Sequence, residues 1–325
     1  MMNNSLEGKI ETPISYGGQA VMEGVLMRGK KAYAMAIRRP DGEIQMIEKE
    51  ITTISDRFPI LKLPLIRGFA ALCSSMALGF SALSKSAEVA MEEETEPASR
   101  FEKFLQDKLG DKLNDVLMTF AMVMAVLMAI GLFMLLPTFL ASFAPTPDTI
   151  RGVIEGLLRI VIFVGYVFLI SRSKDVQRVF QYHGAEHKAI HCHEKNLPFT
   201  MENVQACNRL HKRCGTSFML VVMVVTMILF MIVRIDDLWL RFASRLVLLP
   251  VIAGISYEIS VKWAGKRDNW LVRAVIFPGM MIQRITTKEP DEPQIEVAVA
   301  ALERAIEQDS LSVDVAAFQN DKCEP

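Results

Sequence analysis

The chain has 325 residues, 51% of them hydrophobic, and its 36 basic residues nearly balance its 37 acidic residues. This composition is too apolar for an ordinary soluble domain, and a net charge of −1 gives no indication of a nucleic-acid partner. The 5 cysteines have no regular disulfide spacing, which favours reduced thiols over a secreted, disulfide-linked fold.

Residues 1–62 predict a small cytoplasmic element of mixed α and β structure. A glycine-rich stretch, 16–29, precedes two strands, Ala32–Ile37 and Glu43–Ile51, which turn residues 39–42 join into a hairpin. The stretch lacks the Gly-Lys-Ser/Thr ending of a phosphate-binding loop, so tight turns and close packing are its favoured interpretation. Within it, Glu23 and Arg28 are candidate supporting residues of a site folded over the membrane face.

Residues 63–114 predict interfacial or amphipathic helices. The helix expected over Pro64–Ala90 has an uncharged part that is rich in Gly, Ala and Ser. Such a helix lies at the membrane surface, enters the membrane or packs on other helices, and we favour the interfacial alternative. An acidic segment that contains a proline, Met91–Ser99, follows this helix and is the best candidate for a linker.

Residues 115–262 predict a membrane domain of four helices. Two of the predicted spans carry no charge and two are interrupted by charged residues; in chain order the four are Val116–Ala144, Gly152–Ile170, Gly215–Val233 and Phe242–Val261. Basic residues are concentrated before the first span, in the His/Cys-rich loop 172–215 and after the fourth span. The positive-inside rule therefore predicts that both termini and this loop are cytoplasmic.

Residues 263–325 predict cytoplasmic amphipathic helices. After a break at 286–291, apolar residues recur with helical spacing at Ile295, Val299, Leu302 and Ile306. Asp291 and Gln294 precede them with the spacing of a capping box. The predicted fold class is thus a mainly α, polytopic helical membrane protein with a small amino-terminal α+β element.

All 5 histidines lie between His183 and His211, and His183-x-x-Glu186-His187 matches the pattern H-x-x-E-H. On a helix, two histidines at i and i+4 share one face about 6 Å apart along the axis, so both can bind one ion. Glu186 between them is the candidate general base. A catalytic zinc site needs a third protein ligand, for which the candidates are His211, Cys214 and Glu258.

Further residues near the motif are candidates for supporting roles, namely His191, Glu194 and Arg213. Glu194 is predicted on the same helix face as His183, but about 16 Å farther along the axis, too far to share its ion. His211-x-x-Cys214, with Cys207 nearby, offers a second pair of ligands.

Three interpretations of the cluster stay open: a catalytic metal site, a closed structural or regulatory zinc site, and histidines that bind metal only incidentally. Glu258 also has two interpretations. Because it lies inside the fourth predicted span, it is either a functional residue or a side chain that snorkels to the interface beside Lys262.

Taken together, the motifs closely resemble those of the YqhQ family. They are Gly17 to Gly29, His183-Gly184-Ala185-Glu186-His187-Lys188, His211-Lys212-Arg213-Cys214-Gly215-Thr216-Ser217-Phe218, Ser256-Tyr257-Glu258, Pro278-Gly279 and Thr286-Thr287. The family comprises bacterial membrane proteins of unknown function that are described as predicted metal-dependent enzymes. The resemblance covers roughly residues 10–310 and implies a bacterial cytoplasmic membrane location and a metal, but no substrate. Lys212 stands where the family usually has proline, which leaves the candidate ligands unaffected.

The predicted function is metal-dependent hydrolysis at the cytoplasmic membrane face, with zinc as the favoured divalent ion. A membrane-embedded peptide or a lipid headgroup fits this location as substrate. The alternative is a non-catalytic scaffold or metal sensor that uses the same ligands. A transporter is disfavoured because the first and third spans carry no charged residue.

Overall fold

The computed structural model describes residues 16–51, 58–90, 113–233, 235, 237–264 and 269–320. The protein is mainly helical, with a small antiparallel sheet near its amino terminus. The predicted linker at 91–99 lies outside the described residues.

The sheet has four antiparallel strands in the order β1-β2-β3-β4. They are β1 (Gly17–Val21), β2 (Gly24–Arg28), β3 (Ala32–Arg38) and β4 (Ile44–Glu50). The predicted hairpin is confirmed as β3 and β4. The glycine-rich stretch also forms a hairpin, β1 and β2, which the sequence pattern did not predict because glycine is depleted in strands.

Ten helices follow in the part of the chain that the structure describes. They are α1 (Ile66–Ala90), α2 (Leu113–Ile130), α3 (Leu136–Ser142), α4 (Asp148–Ile170), α5 (Lys174–Glu194), α6 (Met201–Ala206), α7 (Gly215–Ile232), α8 (Leu238–Tyr257), α9 (Trp270–Thr286) and α10 (Glu292–Asn320). A π-helical turn, Gly131–Leu135, joins α2 to α3, and another, Glu258–Trp263, extends α8.

Both faces of the sheet are covered. On one face, Val25, Met27, Ala34 and Ala36 share a hydrophobic core with α5 and α10. On the other, Leu26, Met35 and Ile37 pack with Ala82 and Val89 of α1. Because side chains alternate between the faces, β2 and β3 are buried along most of their length, and their sequences read as continuous apolar runs.

Within the described residues, five helical segments are long and apolar enough to cross a membrane, one more than the four predicted. They are Ile66–Ala90, Thr119–Ser142, Ile150–Ile170, Gly215–Ile232 and Trp239–Trp263. The last four match the predicted spans closely. In the most apolar of them, Thr119–Ser142, no residue from 119 to 136 is buried, as expected for a helix that faces lipid rather than protein.

The additional segment, α1, packs on other parts of the protein at both ends. At its amino-terminal end, a Cβ on Gly68 would lie 2.6 Å from Cβ of Tyr257 in α8. Near its carboxyl end, Oγ of Ser86 accepts a hydrogen bond of 3.1 Å from the amide of Met22, in the turn between β1 and β2. The helix thus connects the apolar helices to the sheet.

A charged cluster is buried among α3, α4 and α8. The Glu155 carboxylate accepts from Arg159 (2.9 Å), from Arg245 (2.5 Å) and from the hydroxyl of Thr138 (3.0 Å). Both guanidinium groups also lie over the ring of Phe230 in α7, at 5.3 and 4.8 Å from its centroid. Glu155 and Arg159, which interrupt the second predicted span, therefore pair with each other, and Arg245 of the fourth span joins them.

The carboxyl-terminal helix begins with the predicted capping box. The amide of Gln294 donates to the Asp291 carboxylate (2.9 Å), and the Gln294 side chain accepts from the Asp291 amide (3.0 Å). Ile295 and Leu302 are buried against the sheet and α5, which confirms the predicted amphipathic face.

Candidate metal centre

The H-x-x-E-H pattern lies on α5, as predicted. His183, His187 and His191 follow at intervals of four residues, so their side chains project from the same face, toward the loop before α7. Gly184 lies within this helix, where glycine is normally unfavourable. A Cβ there would lie 2.0 Å from the carbonyl oxygen of Lys288, so the glycine allows the segment after α9 to approach α5.

Three side chains meet as a first group of candidate ligands: His183, His187 and Cys214. Their ligand atoms lie within 4.8 Å of one another, and Nε2 of His183 is 3.3 Å from Sγ of Cys214. Of the three candidates for a third ligand, Cys214 therefore has the required position. It is the N-cap residue of α7, at the end of the helix dipole that favours a negatively charged ligand.

Three of the four histidines of α5 are oriented by backbone carbonyl groups. Nδ1 contacts Thr286 O at 2.8 Å in His183, Arg209 O at 2.5 Å in His187 and Asn208 O at 2.6 Å in His191. A carbonyl oxygen only accepts, so each Nδ1 carries the proton and each neutral ring keeps a lone pair on Nε2. This is the arrangement that orients metal-ligating histidines in proteins.

Glu186 is buried beside the first group. It is 4% exposed, and its Oε2 lies 3.9 Å from Nε2 of His183. Burial raises the pKa of the Glu186 carboxyl above its ordinary value, while the nearby histidines and a hydrogen bond from the Gly18 backbone oppose the shift. Burial likewise lowers the pKa of His187, which favours the neutral ring that a metal ligand requires.

A second group consists of His191, Glu194 and His211, whose ligand atoms also lie within 4.8 Å of one another. Burial acts to raise the pKa of Glu194, but the hydrogen bond from His211 and the charges of His211 and Arg213 outweigh it and lower the pKa to about 2. As predicted, Glu194 is not part of the His183 group. His211, considered as a third ligand of the first ion, belongs to this second group instead.

Glu258 joins neither group among the residues that the structure describes. Its two carboxylate oxygens accept from the guanidinium of Arg67 in α1, at 2.7 and 2.5 Å. In the structure, Glu258 thus forms an ion pair with α1, apart from both groups of candidate ligands. No pattern in a single sequence pairs two residues that are 191 positions apart.

The two supporting candidates from the glycine-rich stretch lie outside both groups. Glu23 occupies the turn between β1 and β2 with φ of 49°, and its carboxylate binds Arg178 and the hydroxyl of Tyr182 in α5. Arg28 ends β2, opposite Tyr33 of β3. Glu23 thus attaches the sheet to α5 rather than lining the centre.

Two residues that hold the centre together were not identified from the sequence. Gln283, which is fully buried, exchanges two hydrogen bonds of 2.8 Å with the backbone of His211 and donates to Ser217. Gly18 lies against Glu186, where a Cβ would be 2.7 Å from Cγ of the glutamate. Gly18 belongs to one of the quoted motifs and Gln283 to none, and only their long-range contacts show what the two residues do.

The chain was compared with known families, curated proteins and solved structures. A family described as "Protein of unknown function (DUF1385)" matches residues 63–308. The chain is 36% identical over 316 residues to "Uncharacterized protein YqhQ" of Bacillus subtilis (strain 168), a match that covers 94% of this chain and 96% of the relative. No solved structure matches. The chain therefore belongs to the DUF1385 family, the group of YqhQ-like proteins of unknown function that its motifs resemble.

Proposed function

We propose that the protein is a metal-dependent hydrolase that acts at the cytoplasmic face of a bacterial membrane. The observation that carries this proposal is the first group of candidate ligands, in which the Nε2 lone pairs of His183 and His187 lie beside the thiol of Cys214, whose proton an ion would replace. Two imidazoles and a thiol fit zinc, and three protein ligands leave one position open for catalysis.

Each side chain of the centre has a separate role in the proposed hydrolysis. His183, His187 and Cys214 hold the ion, and the carbonyls of Thr286 and Arg209 fix the orientation of the two rings. A divalent ion in this position supplies Lewis acidity for the attack of water on the substrate. Glu186 accepts the proton of that water, a role suited to a carboxylate whose pKa is raised by burial and whose oxygen lies 3.9 Å from His183.

The packing supports a four-span topology with the centre at one membrane face. The sheet, α5 and α10 share one core, so all three belong to the same side of the membrane. Before α5, the chain crosses the membrane along α2–α3 and returns along α4. After α5, it crosses along α7 and returns along α8. A further crossing by α1 would separate the sheet from α5. The basic residues of loop 172–215 favour a cytoplasmic location for this side by the positive-inside rule.

The location of the centre favours a substrate that the membrane presents. Cys214 immediately precedes α7. In the first turn of α7, Ser217 packs against Gly279 of α9. The candidate ligands therefore lie where the apolar helices meet the sheet domain. A membrane-embedded peptide and a lipid headgroup are the two substrate classes that fit a centre at the membrane surface.

A non-catalytic scaffold or metal sensor is the second candidate function, and one observation favours it. The ligands come from α5 and from the loop before α7, and the carbonyls of Asn208 and Arg209 in that loop already bind α5 histidines. An ion would lock the loop to the helix and so tie the sheet domain to the apolar helices.

Glu186→Gln distinguishes the two functions. The full-length protein is purified in detergent, its zinc content is measured, and hydrolysis is assayed in phospholipid vesicles that carry fluorogenic membrane peptides and headgroup-labelled lipids. A hydrolase loses activity by about 10²–10⁴-fold but keeps its zinc, since the general base is removed and the ligands remain. Glu202→Gln, at an exposed position on α6, is the matched control. Wild-type protein that binds no metal would refute both functions.

A further inference from the structure

A second cluster of ligand-type side chains lies one to two helical turns from the proposed zinc ligands. His191 follows His187 by four residues on α5, and its ring centroid is 4.8 Å from that of His211. His211 in turn lies 5.6 Å from His187, measured between ring centroids. The two groups are therefore adjacent and share a continuous row of imidazole rings.

His191 has the same orientation as the first two histidines. Its Nδ1 donates to the carbonyl of Asn208 at 2.6 Å, so its Nε2 lone pair is free. A hydrogen bond that fixes one ring nitrogen and leaves the other free is the arrangement found around metal-bound histidines. The proposed zinc centre, which uses His183 and His187, does not account for this third oriented ring.

Glu194 and His211 face the same point. Both oxygens of Glu194 lie 3.4 Å from Nε2 of His211. Arg213 binds Oε1 of Glu194, so Oε2 remains for a ligand. The side chain of Gln283 binds both the amide and the carbonyl of His211. The His211 side chain is only 7% exposed, compared with 32% for Glu194.

We propose that His191, Glu194 and His211 form a second site for a divalent cation, next to the zinc ligands, so that the protein holds a two-ion centre. This proposal rests on the proposed function for the first ion only. Two imidazoles and a carboxylate are a harder ligand set than two imidazoles and a thiolate, so the second site suits zinc, manganese or iron(II) and the first favours zinc. Nδ1 of His211 accepts from the Arg213 amide at 3.3 Å, so Nε2 carries the ring proton in the empty site. Coordination at Nε2 moves this proton to Nδ1 at the expense of that long hydrogen bond, and it replaces the contact between His211 and Glu194. The Arg213 guanidinium stays on the other carboxylate oxygen.

The environment predicts that the second ion exchanges more readily than the first. Glu194 and Arg213 have side chains that are 32% and 42% exposed, whereas His187 is 1% exposed. An ion bound through an accessible carboxylate has a shorter path to water and to chelators. Mild chelation should therefore remove the second ion first.

The test counts metal ions in the full-length protein after equilibration with zinc and removal of free metal. Wild type should retain about two ions per chain, and His191→Ala/Glu194→Gln and His183→Ala/Cys214→Ser should each retain about one. Glu202→Gln, outside both groups, should keep both ions. One ion in wild type, lost only in the His183 and Cys214 variant, would overturn the second site and leave the proposed function standing. No ion in wild type would overturn both.

Cobalt substitution keeps the test decisive if a variant is poorly folded. Thiolate coordination gives cobalt(II) an intense charge-transfer absorption, which histidine and carboxylate ligands do not give. The His191 and Glu194 variant should keep this band at its wild-type intensity per chain. The single variant Cys214→Ser should lose the band and still bind about one cobalt ion through the second group. Loss of all cobalt binding in well-folded Cys214→Ser protein would contradict an independent second site.

Discussion

Two buried polar clusters at opposite ends of α7 use their atoms in different ways. Glu155, Arg159 and Arg245 lie beside Phe230, which is about 24 Å along the helix from Cys214 in the histidine centre. In the Glu155 cluster, both carboxylate oxygens are bound by guanidinium groups. In the histidine centre, the rings of His183, His187 and His191 are bound at Nδ1 by backbone carbonyls, which leaves the lone pair on Nε2.

This difference separates a structural cluster from a candidate site. Opposite charges that satisfy one another hold α3, α4 and α8 together and leave little capacity for a ligand. The exception is Nη1 of Arg159, for which the described residues provide no hydrogen-bond partner. Imidazole lone pairs that lie beside a thiol have capacity for an ion, because the thiol gives up its proton when a metal binds. Both clusters are buried and polar, so burial and polarity do not identify a functional site. What distinguishes the two clusters is whether their donor and acceptor atoms already satisfy one another.

The largest expected effect is loss of Glu155. Glu155→Ala leaves two buried guanidinium groups without their carboxylate, which should lower the free energy of unfolding by about 3–5 kcal/mol. Unfolding by denaturant in detergent measures the change. Glu88→Ala, which breaks an exposed pair with Lys85, should cost at most about 1 kcal/mol. Equal losses for the two variants would refute the structural role of the Glu155 cluster.

A smaller loss is expected from Gly18→Ala, which tests the packing behind the histidine centre. The new Cβ would lie 2.7 Å from Cγ of Glu186 and 2.8 Å from the Leu26 carbonyl, so unfolding should become easier by about 1–3 kcal/mol. Hydrolytic activity should fall with it because the glutamate is displaced. Gly17→Ala is the matched control, since no atom of the described residues, apart from its chain neighbours, lies within 4 Å of its Cβ position. An unaffected Gly18→Ala protein would show that β1 does not position Glu186.

Gln283→Leu tests whether the loop before α7 must be held for metal to bind. The variant removes three buried hydrogen bonds to His211 and Ser217, so zinc affinity should fall by about 10–100-fold. Competition with a zinc-binding dye measures the affinity. Gln308→Leu, at a position whose amide binds Glu48 on the surface, should leave the affinity unchanged.

The smallest effect on metal is expected from Glu258→Gln. Its carboxylate is taken by Arg67, so the variant should keep its full zinc content and lose only part of the attachment of α1 to α8. Metal analysis decides the point. A loss of one zinc ion would instead return Glu258 to the ligand set and break the distinction between paired carboxylates and free ligands.

Sequence patterns alone predicted the features that depend on neighbours along the chain. Apolar runs identified the four matched spans, since a bilayer selects for length and hydropathy only. The spacing of Asp291 and Gln294 predicted their capping box, and the spacing of His183 and His187 predicted that one helix face carries both. Each of these relations spans a few residues, and helix geometry determines it.

The tertiary structure decided which distant residues meet. Cys214 rather than His211 or Glu258 joins His183 and His187, and His211 pairs with Glu194 instead. The glycines at 18 and 184 have a role only because another segment packs against them. Such choices depend on how α1, α5 and the loop before α7 pack together, and contacts across tens or hundreds of residues leave no periodic signal in one sequence. The sequence therefore determined the set of candidate ligands, and only packing divided them into two groups.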